Sequence, residues 1–218
     1  MAIEEFWISV RTAAGLMVPK AAVDSPRLDR GRIETILRGA TFWLTPGSVK
    51  GYNPKDFEFL SEEERTRLDE GMREFKAVAE SVPRQGPATD EQIKDGVLGF
   101  SKIIEVVRPD KYADFDAFVI GKKIENLVRD ELPDWVREMV FETGYDSSGA
   151  PALWIWVEVE DEAAREDSMF ENFLMIRREL TAAGAQVCPD RWVYVRMRTV
   201  SEQRPKAERR PKARSKTK

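Results

Sequence analysis

The stretch "APALWIWVEVED", residues 150–161, sets two tryptophans one residue apart in an alternating run. In an extended chain Leu153, Ile155, Val157 and Val159 fall on one face. Trp154, Trp156, Glu158 and Glu160 fall on the other. A half-buried strand needs only one apolar face, so two indoles on the second face need a covering of their own. Two coverings are open. Either the chain's own helices lie on both faces of the sheet, as fully buried strands require, or the indoles meet another molecule, since Trp is favoured at interface hot spots.

The flanking sequence supplies a sheet for this strand. "VREMVFETG" (136–144) has period 2, and "YDSSGAP" after it is a turn rich in Asp, Ser and Gly, so the two strands form a hairpin. "SMFE" (168–171) has the form of a capping box opening a helix through Phe170, Phe173, Leu174, Ile176 and Leu180, with Gly184 placed as its C′ residue. "RWVYVRMRT" (191–199) is a third strand. The result is a ββαβ unit over residues 134–199 with a right-handed helical crossover.

Upstream the period is 3.6. "SEEE" (61–64) and "TDEQ" (89–92) are capping boxes. The first precedes Leu68, Met72, Phe75 and Ala79, and the second precedes Ile93, Val97, Phe100, Ile104 and Val107; Pro83 and Pro109 end the two helices. A third helix spans 114–131 with Phe115, Val119, Ile120, Ile124 and Leu127 available for burial. "RLDRGRIETILRGATFWLT" predicts another, through Ile33, Ile36, Leu37 and Ala40, broken by "TPGSVKGYNP", whereas "EEFWISVRTAAGLMV" fits a short helix or a strand. The expected fold is α+β: a mainly helical subdomain over 1–133, the ββαβ subdomain with a small mixed sheet over 134–199, and a disordered basic tail over 200–218.

Composition narrows the chemistry. None of the 218 residues is histidine, which removes His-based triads, Cys–His dyads and His-ligated zinc or iron sites. Cys188 is the only cysteine, so no internal disulfide forms. The N-terminus makes a poor signal peptide and no apolar run is long enough to span a bilayer, so the expectation is a cytoplasmic protein without membrane contact. Residues 204–218 hold eight Lys or Arg against one Glu. This net +7 leaves −11 on residues 1–203 of a chain whose total is −4. The molecule is an acidic body with a basic tail.

Three sets of residues carry the functional expectations. The first is the aromatic and basic ladder Trp154, Trp156, Tyr194, Arg196 and Arg198, a partner-binding surface or, with Trp192, a base-stacking platform. The second is Glu158, Glu160 and Asp161, which on one strand face would share a Mg²⁺ in a nucleotidyl or phosphoryl transferase; no other cofactor or metal is expected. Surface glutamates paired with Arg196 and Arg198 on a neighbouring strand explain the same acids without a reaction. The third is the tail, where Arg204, Lys206, Arg209, Arg210, Lys212 and Arg214 would contact nucleic acid non-specifically. Asp146-Ser147-Ser148-Gly149 reads as a turn, and Cys188 lacks a neighbouring activator. The expected role is a non-catalytic protein-interaction or accessory component of a cytoplasmic, bacterial-type system, its partner another protein. The alternatives are a nucleic-acid-associated protein working through its tail and the Mg²⁺-dependent transferase.

Overall fold

The computed structural model describes residues 2–17, 30–43 and 54–203; the tail residues Arg204, Lys206, Arg209, Arg210, Lys212 and Arg214 and most of the "TPGSVKGYNP" break lie outside them. The described residues form a mixed α+β architecture of six α-helices and one three-stranded sheet. α1 (Ala2–Met17) settles the ambiguous opening as a helix, burying Trp7, Val10, Ala13 and Ala14 at 3.6-residue period. α2 (Arg30–Trp43) buries Ile33, Ile36, Leu37 and Ala40, the four positions its spacing predicts.

α3 (Glu62–Ser81) and α4 (Asp90–Val107) both start on the capping boxes read from sequence. Ser61 Oγ accepts from the Glu64 N–H at 3.3 Å and Glu64 Oε2 accepts from the Ser61 N–H at 3.0 Å, so two orphan donors are satisfied reciprocally. Thr89 and Gln92 repeat the arrangement at 3.1 and 2.9 Å. α5 (Phe115–Val128) is capped by Asp114, which accepts from the Ala117 N–H at 2.8 Å.

The phases of α4 and α5 differ from those predicted. α4 buries Gly96, Gly99, Phe100, Ile103, Val106 and Val107, while Ile93, Val97 and Ile104 are half-buried at its margin. Close helix contact turns it: a Cβ on Gly99 would stand 2.9 Å from the Phe75 backbone nitrogen, and one on Gly96 would stand 2.8 Å from a Leu37 methyl. Gly96 and Gly99 are the contact line. α5 buries Lys122, in an ion pair described below, and leaves Leu127 46% exposed.

The sheet has the order β1-β2-β3, with β1 (Val136–Tyr145) antiparallel and β3 (Trp192–Thr199) parallel to the central β2 (Pro151–Val159). α6 (Met169–Val187) makes the crossover from β2 to β3, completing the ββαβ order. The outer edge of β1 is closed by the segment after α4: the Phe141 N–H donates to Lys111 O at 2.9 Å and the Ala113 N–H donates to Phe141 O at 3.0 Å. α5 and α6 pack on one face, α5 with Gly121 against Phe141 and α6 with Gly184 against Val193. Under them Leu153, Ile155, Val157 and Val159 are fully buried, in a continuous core that reaches back to Trp7.

Four expectations about this unit are corrected. Gly184 lies inside α6 rather than past its end, because a Cβ there would meet Val193 at 2.8 Å; it lets the helix approach the strand. Ser168 is not a capping-box residue. Its backbone is already helical, so its hydroxyl is not placed to accept from the first N–H groups of α6, and the Met169 N–H donates to Glu166 O in the turn before. α6 also leaves Phe170 and Leu174 exposed, its buried line running through Met169, Ile176, Leu180 and Ala183. Finally, residues 200–203 are a short 3-10 turn rather than the start of a disordered tail, held by the Thr199 N–H donating to Glu202 Oε2 at 2.8 Å and the Ser201 N–H donating to Asp161 Oδ1 at 3.2 Å.

Candidate functional site: the aromatic and guanidinium face of the sheet

Strand register places twelve side-chain positions on the face turned away from α5 and α6. Across β1, β2 and β3 they run Gly144, Ala152, Trp192; Glu142, Trp154, Tyr194; Val140, Trp156, Arg196; and Glu138, Glu158, Arg198. The layered reading, with helices on both faces, is therefore corrected for the described residues. Both sheet-packing helices lie on the Leu153 side, and Trp154 and Trp156 are half-buried where Leu153, Ile155 and Val157 are fully buried. The indoles are covered by their own sheet.

That covering is made of aromatic and guanidinium groups. Trp154 and Tyr194 stack with centroids 5.9 Å apart and planes 17° from parallel, and the far edge of Trp154 leans over Gly144, where a Cβ would stand 3.2 Å from it. The guanidiniums of Arg196 and Arg198 lie 5.6 and 5.4 Å from the Trp156 ring centre. Each such contact is worth roughly 0.5–1.5 kcal/mol, enough to fix rotamers and too little to compete with a buried core. The Trp156 Nε1–H is buried without a hydrogen-bond partner. An orphaned indole donor costs about 1–3 kcal/mol, and Trp7 in the helical core carries another.

Tyr194 is fixed from its far end. Its hydroxyl donates to Asp146 Oδ2 at 3.0 Å. Asp146 also accepts, through Oδ1, from the Ser148 hydroxyl at 2.7 Å, the Ser148 N–H at 2.8 Å and the Ala150 N–H at 3.0 Å. These bonds, the Ser148 hydroxyl first, hold its carboxyl down at about 2, and the same carboxylate pushes the Tyr194 phenol up. The Asp146–Gly149 turn is thus the hairpin turn the sequence predicts, closed by Gly149 at φ +81°, and it also positions Tyr194.

The three acids do not meet. Glu158 is 3% exposed, and its Oε1 accepts from Arg198 Nε at 2.9 Å and from Arg198 Nη2. β2 ends at Val159, so alternation stops before Glu160, which turns outward to Arg137 at 3.0 Å. Asp161 accepts from the Ser201 N–H, a bond that lowers its carboxyl. Each carboxylate has a separate partner, and the described residues contain no group of three or more acids and cysteines placed to hold a metal ion. Cys188 is buried, its thiol pushed up by that burial and donating to Gly184 O at 3.1 Å.

A second polar cluster went unread in the sequence. Lys122, nearly buried on α5, donates to Glu64 Oε1 at 2.5 Å; Tyr112 donates to Glu125 Oε2 at 2.8 Å; and Lys111 pairs with the other Glu125 oxygen. Burial works against the charged form of Glu64, but Lys122 and Ser61 outweigh it and hold the carboxyl below its ordinary range. Burial first and Glu125 second push the Tyr112 phenol far up. A lysine one turn after Phe118, on the line of buried positions, was the available signal. Each charge has an opposite charge beside it inside the molecule, which makes the cluster a tie between α3, α5 and the segment after α4. No protein-family model, no curated protein and no solved structure matches this chain.

Proposed function

We propose that this chain is a non-catalytic interaction component, acting in the cytoplasm, whose uncovered sheet face receives a partner protein. The observation that carries the reading is the composition of that face. Trp154, Trp156, Tyr194, Arg196 and Arg198 lie together on one face of the sheet, half-buried apart from the exposed Arg196, with the Trp156 N–H left without a partner. Rigid aromatics and arginine are the residue types that dominate interface energetics. A protein is favoured over a nucleic acid because both indole surfaces are already engaged, one by a phenol and the other by two guanidiniums. Glu138, Glu142 and Asp146 also set acids around the same face, where phosphate would be repelled. No step of bond chemistry is assigned to it.

The test is affinity capture from the native cell, with and without nuclease, using wild type and Arg196→Glu in parallel. Arg196 is exposed, so the variant leaves the core untouched. A stoichiometric protein that survives nuclease and is lost with Arg196→Glu supports the reading. Capture that is identical with both chains, or that disappears with nuclease, overturns it.

A further inference from the structure

The two edges of the sheet differ. β1 is bridged at Phe141 by the Lys111–Ala113 segment, whereas among the described residues no strand pairs with the outer edge of β3. Only the last residue is tied down, the Thr199 N–H donating to its own Glu202. Exposed edges are ordinarily guarded by proline, by bulges or by charges projecting outward. β3 has no proline and no register shift against β2, and its two arginines are folded back over Trp156 and onto Glu158. At its start β3 also carries Trp192, 65% exposed.

The strand can pair with itself without setting like charges opposite each other. Antiparallel partners share a face, so two copies of β3 related by a two-fold axis pair residues whose numbers sum to an even value. With Arg196 on the axis, two like charges stand directly opposite, which is destabilising. Moving the axis to Val195 removes this: Val193 then faces Met197, Tyr194 faces Arg196, and the exposed Trp192 faces Arg198, so no two arginines stand opposite each other. We infer that the open edge of β3 takes the β3 of a second copy of this chain, antiparallel and centred on Val195, giving a continuous six-stranded sheet with the aromatic faces of both copies on one side. This rests on edge geometry and strand pattern and stands apart from the partner reading above.

Light scattering after size exclusion over a range of protein concentrations, on the full chain, tests it together with oxidative cross-linking. Wild type is expected to form a dimer. Trp192→Arg, at an exposed position, places like charges across the pair and should raise the dimer dissociation constant at least tenfold. In a Cys188→Ser background, Val195→Cys should form an intermolecular disulfide, because facing Cα atoms of a hydrogen-bonded antiparallel pair lie about 5.5 Å apart, within disulfide reach. Arg196→Cys should not. A monomer at every concentration, a dimer indifferent to Trp192→Arg, or cross-linking through position 196 in place of 195 would overturn the inference. Because Arg196 also faces Tyr194 across this pair, the capture experiment bears on the partner reading only through a protein other than this chain, whereas these measurements read the chain alone.

Discussion

At the scale of single residues, Glu158 shows how far sequence and structure part. Its position on the indole face was legible from alternation, but not whether it looked toward a metal, solvent or an arginine. That depended on β3 lying parallel beside β2 with Arg198 opposite Glu158, a residue 40 positions further along the chain. Because Glu158 is buried, removing its partner strands a charge. Arg198→Ala is expected to lower unfolding free energy by about 3 kcal/mol, and Arg198→Met with Glu158→Leu to recover most of it, as read by denaturant unfolding. Asp146 gives a pH-dependent counterpart. Its folded carboxyl sits at about 2, below its ordinary 3.8, so the turn's contribution is complete above about pH 4 and is lost as pH falls through about 2. NMR titration of the carboxyl should show that midpoint, and in Asp146→Asn the raised Tyr194 phenol should titrate back toward its ordinary value.

At the scale of elements, capping chemistry was the most legible signal, because it is local. Ser61 and Thr89 open α3 and α4 where their side chains predict. Ser168 fails for a reason equally local, the chain having entered a helical turn before it. Helix phase was less legible, since hydropathy ranks Gly96 and Gly99 as neutral while packing uses them as the contact line. Two substitutions of the same kind separate these roles. Gly99→Ala drives a methyl into the Phe75 backbone and should destabilise by about 1–3 kcal/mol. Gly39→Ala, on the exposed side of α2 with nothing within 4 Å of the added Cβ, should stabilise by about 0.5–1 kcal/mol. Thermal or denaturant unfolding of the pair checks both signs. The sheet's one-sidedness was the least legible feature, because alternation states which residues share a face and not what lies over it.

At the scale of the whole molecule, the helices spend their apolar faces on one another and on one side of the sheet. What remains is a sheet whose second face is finished with stacked rings and guanidiniums, and whose β3 edge has no strand beside it among the described residues. Among those residues no helix is long and apolar enough to cross a membrane. The partner reading therefore concerns a sheet face over which, among the described residues, no helix packs. Its most direct test uses the chain's six tryptophans as reporters, with 5-fluorotryptophan incorporated and fluorine NMR recorded before and after adding the captured partner. The expected result is that the Trp154 and Trp156 signals shift while that of Trp7, 2% exposed in the helical core, stays in place. Saturating binding that leaves Trp154 and Trp156 unmoved would contradict the assignment of the sheet face as the docking surface.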